Sequence, residues 1–313
     1  MADQQQNRSF FESLIKSGIH WGHQKSRRNP KMDSYIWGTK NGVSLIDVSR
    51  TAHQLEKAGK FLESVAAEGK QILWVGTKKP AQEVVFATAS SLNMPYVTHR
   101  WLGGTLSNYS QVIKSRTKLL HYEDVLARAE KFPLYTKKEL NVIQKAVERL
   151  KKNVGGIRSL TWPVGAIVLV DILKERSALK EAARMGVPVV ALVDTNADPS
   201  LVDFVIPGND DAPRAIKLVI DFLGQAAAKG AEVAETKQIE RDAAEFPSKE
   251  QVDLTFIEVA GEDEENAKRR ALRAEAAGVV ANKAPRKKAF DDDMSRNRAR
   301  RPVNSRPKKV GQE

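Results

Sequence analysis

The sequence predicts an α/β protein: a parallel sheet with helices on both faces, interrupted by a helical insertion. Three observations carry this. Strand-sized and helix-sized segments alternate on either side of residues 108–154, as in βαβ units. The runs Ala166-Ile167-Val168-Leu169-Val170 and Val189-Val190-Ala191-Leu192-Val193 are apolar at every position, as strands buried on both faces must be. Within the insertion the apolar residues recur at the three-and-four spacing of a coiled-coil seam.

Taken in order, Ser9 to Lys16 forms a short amphipathic helix with Phe10, Phe11, Leu14 and Ile15 on its apolar side, and Gly18 ends it. Tyr35-Ile36-Trp37 and Val43-Ser44-Leu45-Ile46 flank Asn41-Gly42, a dipeptide suited to the positive φ angles of a tight hairpin. Helix Ser49 to Ala67, strand Gln71 to Val75, helix Pro80 to Leu92 and strand Tyr96-Val97 follow. After the insertion come strand Ala166 to Val170, helix Ser177 to Met185, strand Val189 to Val193, a short strand Phe204 to Ile206 and helix Asp211 to Ala228.

The insertion, residues 108–154, reads as a coiled-coil helical hairpin broken at Lys131-Phe132-Pro133-Leu134-Tyr135. Val112, Leu119 and Leu126 line one arm, and Leu140, Ile143, Val147, Leu150 and Val154 line the other. Thr136 with Glu139 supplies a capping box at the start of the second arm, and Gly155-Gly156 stops it. The α/β domain then comprises residues 1–107 and 155–230, and residues 231–313 form a charged, largely disordered C-terminal extension. That extension is acidic and Ala-rich to Glu265, with strand-like alternation over Val252 to Val259 and helix over Asn266 to Ala277. It then turns basic at Arg286-Lys287-Lys288, Arg298-Ala299-Arg300-Arg301 and Lys308-Lys309, an expected RNA-contacting arm.

Composition narrows the function classes. The 51 Lys and Arg against 39 Asp and Glu leave a net charge of +12, which favours a polyanionic partner. The absence of cysteine removes disulfides, thiolate metal sites and cysteine nucleophiles. The segment MADQQQNRSF has neither the apolar core of a secretory signal nor an arginine-rich amphipathic pattern, and no apolar run is long enough for a membrane span. A cytoplasmic location is expected.

Several motifs invite catalytic readings, each with a plainer alternative. Gly76-Thr77-Lys78-Lys79 follows a buried strand and opens a helix, where amides and a lysine can hold phosphate, yet it lacks the glycine pattern of either nucleotide-binding fingerprint. His20 and His23 have metal-ligand spacing without a third ligand nearby, and Gly18 and Gly22 argue for a loop there. His99-Arg100-Trp101 before Gly103-Gly104 suits stacking and phosphate contact, or core packing of Trp101. Asp171, Asp194, Asp198, Asp210 and Asp211 follow strands at the edge where α/β enzymes hold metals, but aspartates there also cap helices and close turns. No catalytic residues, metal site or cofactor are assigned.

The motifs taken together say more. Gly18-Ile19-His20-Trp21-Gly22-His23-Gln24, Asn29-Pro30-Lys31-Met32, Gly76-Thr77-Lys78, His99 through Asn108, Asp194-Thr195-Asn196-Ala197-Asp198-Pro199 and Phe204 through Ala212 occur in an order that closely resembles the ribosomal protein S2 family, over about residues 9–228. The resemblance implies a flavodoxin-like sheet carrying a coiled-coil hairpin, lodged between the head and body of the small (30S) ribosomal subunit, with the long insertion of the bacterial form. It implies a structural constituent of a ribonucleoprotein acting in translation, not an enzyme. Its partners would be small-subunit ribosomal RNA and neighbouring ribosomal proteins including S1, with no membrane and no small-molecule substrate. On this reading the RNA contacts are expected at His20, His23, Lys25, Arg27, Arg28, Lys31, Lys78, Lys79, Arg100, Lys114, Arg116, Lys118, Lys137 and Lys138. The rivals are a phosphate-ligand enzyme on the same fold, using Gly76 to Lys79 with Asp171 or Asp194, and an extra-ribosomal RNA-binding protein.

Overall fold

In a computed structural model the backbone of residues 2–129 and 135–245 is described, with side chains over 8–129 and 135–238. Five parallel strands, β4 (Ile72–Val75), β5 (Tyr96–Val97), β6 (Ala166–Val170), β7 (Val189–Val193) and β8 (Phe204–Pro207), form one sheet in the order β5-β4-β6-β7-β8. Counted within the sheet this is 2-1-3-4-5, the doubly wound order of the flavodoxin-like fold, and its switch point lies between β4 and β6.

The apolar runs are explained strand by strand. Ala166, Val168 and Val170 join one buried cluster with helices α1 (Ala2–Ser17), α2 (Val48–Ala67), α3 (Lys79–Ser91) and α7 (Pro213–Glu245). Ile167 and Leu169 join the opposite cluster with α6 (Arg176–Met185), Trp101 and Ile157. A strand feeding two cores has no position left for a polar side chain. Packing rather than local propensity places the helices. Asp47 caps α2 by accepting from the Ser49 amide at 2.9 Å, worth about 1 kcal/mol. Leu55 and Leu62 on the same helix are fully buried, and each contributes roughly 1.5–3 kcal/mol.

Two antiparallel strands, β2 (Ile36–Lys40) and β3 (Val43–Ile46), form the expected hairpin, with Asn41 at φ 51 and Gly42 at φ 78. A third strand, β1 (Trp21–Gln24), pairs with the other edge of β3, so the segment expected as a loop is extended. Gly22 is there for proximity rather than flexibility: a Cβ on it would lie 2.6 Å from Cγ2 of Thr195 at the end of β7.

The insertion contains α4 (Tyr109–Arg128) and α5 (Lys137–Val154), which pack on one another. The expected capping box is present: the Thr136 hydroxyl accepts from the Glu139 amide, and Glu139 accepts from the Thr136 amide at 2.9 Å. Of the expected seam residues, Val112, Leu119, Val147 and Val154 are buried and Leu126, Leu140, Ile143 and Leu150 half-buried. At the root, Arg116 donates to the Arg158 carbonyl at 2.8 Å, and Glu123 pairs with Arg158 at 2.5 Å.

Two boundaries differ from expectation. Helix α1 begins at Ala2, ahead of Ser9. Helix α7 starts at Pro213, because Asn209 accepts from the amides of Asp211 and Ala212, and it runs past the expected end of the domain at 230 to Glu245. Gly230 lies inside this helix. A Cβ on it would lie 2.3 Å from the Glu63 carbonyl oxygen, so glycine lets α7 press against α2. The remaining expectations for the extension, residues 246–313, and the break at 130–134 lie outside the described residues.

Candidate nucleic-acid interface and the charged cluster beneath it

The carboxyl ends of β4, β6, β7 and β8 converge, as the doubly wound topology requires. Lys78, just beyond β4, reaches Asp210 at 2.8 Å, Asp211 at 2.7 Å and Asp171 at 3.5 Å. Asp210 and Asp171 are 3% and 13% exposed, so this ammonium neutralises buried charge. Burial works against the charged form of Lys78, but its hydrogen bonds to Asp210 and Asp211 prevail and hold its pKa above the ordinary lysine value. Burial, reinforced by Asp171, pushes the Asp210 carboxyl up.

The turn that looked like a phosphate cradle is already filled. The Thr77 amide donates to Glu175 Oε1 at 3.0 Å, the Thr77 hydroxyl donates to the same oxygen, and Lys174 donates to the Thr77 carbonyl at 3.0 Å. A phosphate entering here would meet a buried carboxylate where it needs a free amide, which removes the physical basis of the phosphate-ligand enzyme.

His23 joins the same edge from β1. Its Nδ1 lies 2.8 Å from Asp194, its Nε2 lies 3.5 Å from Asp211, and its amide donates to the Thr195 hydroxyl at 2.9 Å. His20 does not accompany it: its ring is half-buried against Trp21, with centroids 5.1 Å apart, and desolvation lowers its pKa. The residues placed as a metal would need them are instead His23, Asp194 and Asp210, with donor atoms within 4.8 Å of one another. An ion there would compete with the Lys78 ammonium for Asp210 and with the His23–Asp194 bond. Asp198 behaves as a turn cap, accepting from the Ser200 amide at 3.0 Å, and also holds Lys31 at 2.8 Å.

This geometry carries a pH dependence. The hydrogen bond to Asp194 raises the His23 pKa above 6.5 despite partial burial. A group whose folded pKa is raised contributes stability that is complete below its unfolded pKa and is lost as pH rises through the folded value. The raised Asp210 carboxyl acts in the same direction. Thermal unfolding followed from about pH 6 to 8 should therefore show Tm falling, with a shallower fall in His23→Gln; equal slopes would remove His23 from the account.

The remaining candidates divide by whether they are engaged. Arg28 is engaged by Asp33 at 2.8 Å, Lys31 by Asp198, and Arg116 by the Arg158 carbonyl. Lys25, Arg27, Lys79, Arg100, Lys114, Lys118, Lys137 and Lys138 are exposed, and among the described residues none has a carboxylate partner. Lys118 alone of these sits against a ring, 5.5 Å from the centroid of Tyr122. The arm cations are thus separated from the pair near the first hairpin by long stretches of chain. Lys40, Lys145, Arg149 and Lys152, outside the expected set, are likewise exposed, and the helical period of α5 is the sequence signal for the last three.

A family model described as Ribosomal protein S2 matches residues 14–230. A small ribosomal subunit protein uS2 from Koribacter versatilis (strain Ellin345) is 43% identical over 230 residues, covering 74% of this chain and 76% of the relative.

Proposed function

This chain belongs to the ribosomal protein S2 family, and from that premise we propose that it binds small-subunit ribosomal RNA through its exposed cations and helps hold ribosomal protein S1 on the subunit. It is a structural ribosomal protein of the small subunit, not an enzyme. The observation that carries the RNA reading is the division just described: Lys78 at the sheet edge is neutralised internally, while Lys25, Arg27, Lys79, Arg100, Lys114, Lys118, Lys137 and Lys138 are exposed and have no carboxylate partner among the described residues. Phosphates of a folded RNA complement such dispersed charge, whereas a small anion needs several donors converging on one point.

Each element then has a role. The α/β core docks by shape, and the two arm helices, supercoiled about their shared seam, reach along the RNA. The groove between α1 and α7, lined by Phe10, Leu218 and Phe222 and flanked by Arg214 and Asp221, supports a protein neighbour on that side. No helix among the described residues is long and apolar enough to cross a membrane, and the proposed location is the cytoplasmic ribosome. Sedimentation of a lysate at physiological magnesium tests the reading. The chain should comigrate with the small-subunit RNA and intact ribosomes. If it remained in the soluble fractions while ribosomes formed normally, the ribosomal role would fail.

A further inference from the structure

The antiparallel sheet has two unlike faces. Strand register pairs Trp21 and Gly38 with Leu45 from either side, and pairs Gln24 and Lys40 with Val43, so these residues share one face. Ser44 and Ile46 point the other way and are buried at 0% and 2% exposure. Ile36 pairs with Ile46 and Gly38 with Leu45, leaving Trp37 as an extra residue in a bulge. Bulges re-aim side chains, and Trp37 is 78% exposed, with Trp21 41% exposed across the sheet. A Cβ on Gly38 would meet nothing within 4 Å, so the space beside Trp37 is open. A tryptophan held this far out of its own fold on a short, tightly turned hairpin gains nothing from its environment in the free chain.

The charge on the strands themselves is of one sign. The strand residues 21–24, 36–40 and 43–46 contain no Asp or Glu. Lys40 lies on the face, and the Lys25 amide donates to the Gly42 carbonyl at 2.9 Å, which places Lys25 at the same end of the hairpin, followed by Arg27. None of the three has an ion-pair partner among the described residues, whereas Arg28 and Lys31 close by are each held by an aspartate.

We propose that this sheet face is a stacking platform for an unpaired stretch of small-subunit ribosomal RNA, with Trp37 and Trp21 receiving bases and Lys25, Arg27 and Lys40 contacting the adjoining phosphates. The proposal rests on the RNA-binding reading above and assigns it a chemistry that phosphate contacts alone do not supply. Charge complementarity selects the occupant: exposed aromatic rings interleaved with unpaired cations and no acid fit a base-bearing polyanion. The rings stack on any base, so the platform tolerates sequence, and loss of one ring should weaken binding about tenfold.

The test places the photoreactive aromatic p-benzoylphenylalanine at position 37 of the full chain and irradiates assembled small subunits. The expected product is an adduct to ribosomal RNA that ribonuclease removes and that maps to one unpaired stretch. An adduct to a protein, or none, overturns the platform. In parallel, purified full-length chain is titrated with a short single-stranded oligoadenylate. Trp37→Ala should bind about tenfold more weakly and Trp37→Phe within about threefold, both with the unmodified chain's salt dependence. Equal affinities for all three overturn the proposal even if the photoreactive chain fails to assemble. Failure of the parent reading is separable, because there the unmodified chain itself would leave the small subunit.

Discussion

Replacing Lys78 with methionine is expected to destabilise the chain by about 3–5 kcal/mol, while Lys79→Met beside it changes stability by less than about 0.5 kcal/mol. Both are lysines at the same strand-to-helix junction. Lys78 alone is turned inward, where it is 18% exposed and its ammonium balances Asp210 and Asp171. Methionine keeps most of the volume but leaves the buried Asp210 and the partly buried Asp171 without this counter-charge, and the larger part of the cost is theirs. Asp211, 62% exposed, contributes little because water screens it. Calorimetric unfolding near neutral pH should show Tm lowered by about 10 °C. The deficit should shrink in acid as Asp210 takes up its proton, and Asp210→Asn added to Lys78→Met should recover part of it. A Lys78→Met chain as stable as its parent would mean that the cluster is not electrostatically coupled.

The second large effect is on binding. Changing Lys114, Lys118, Lys137 and Lys138 together to glutamine should lower the slope of log affinity against log salt for small-subunit ribosomal RNA by about 3, since each phosphate contact contributes roughly 0.7–0.9. All four side chains are exposed and have no carboxylate partner among the described residues, so the fold should nearly keep its Tm. Any one of the changes alone should alter the slope by less than about 1. Arg116 is the internal contrast. It faces the root of the arm, donating to the Arg158 carbonyl, so its loss should loosen the arm before it touches the salt dependence. Parallel salt titrations for the quadruple variant and its parent would exclude the arm from the RNA interface.

Much of the fold was legible because its signals are local. The fully apolar runs of β6 and β7, the Asn41-Gly42 turn and the Thr136–Glu139 capping box each state their structure within a few residues. One difference has a clear source. Gly22 argues locally for a loop, yet it is a glycine because Thr195 approaches it, just as Glu63 approaches Gly230 inside α7. A glycine kept for flexibility and one kept for proximity are the same letter, and the partner lies far along the chain.

The candidate site divides in the same way. By itself the sequence determined the α/β class, the inserted helical pair, the basic excess and, through the order of its motifs, the family. Which cations face outward was decided only by the tertiary structure. Lys78 and Asp210 are separated by 132 positions and His23 and Asp194 by 171, so nothing local distinguishes Lys78 from Lys79 or His23 from His20. Parallel strands wound about a switch point bring those distant carboxylates to one sheet edge, where burial makes an unpaired charge costly and each basic group within reach is drawn in to balance it. Lys79 and the lysines of α4 and α5 lie beyond that reach and stay exposed to water.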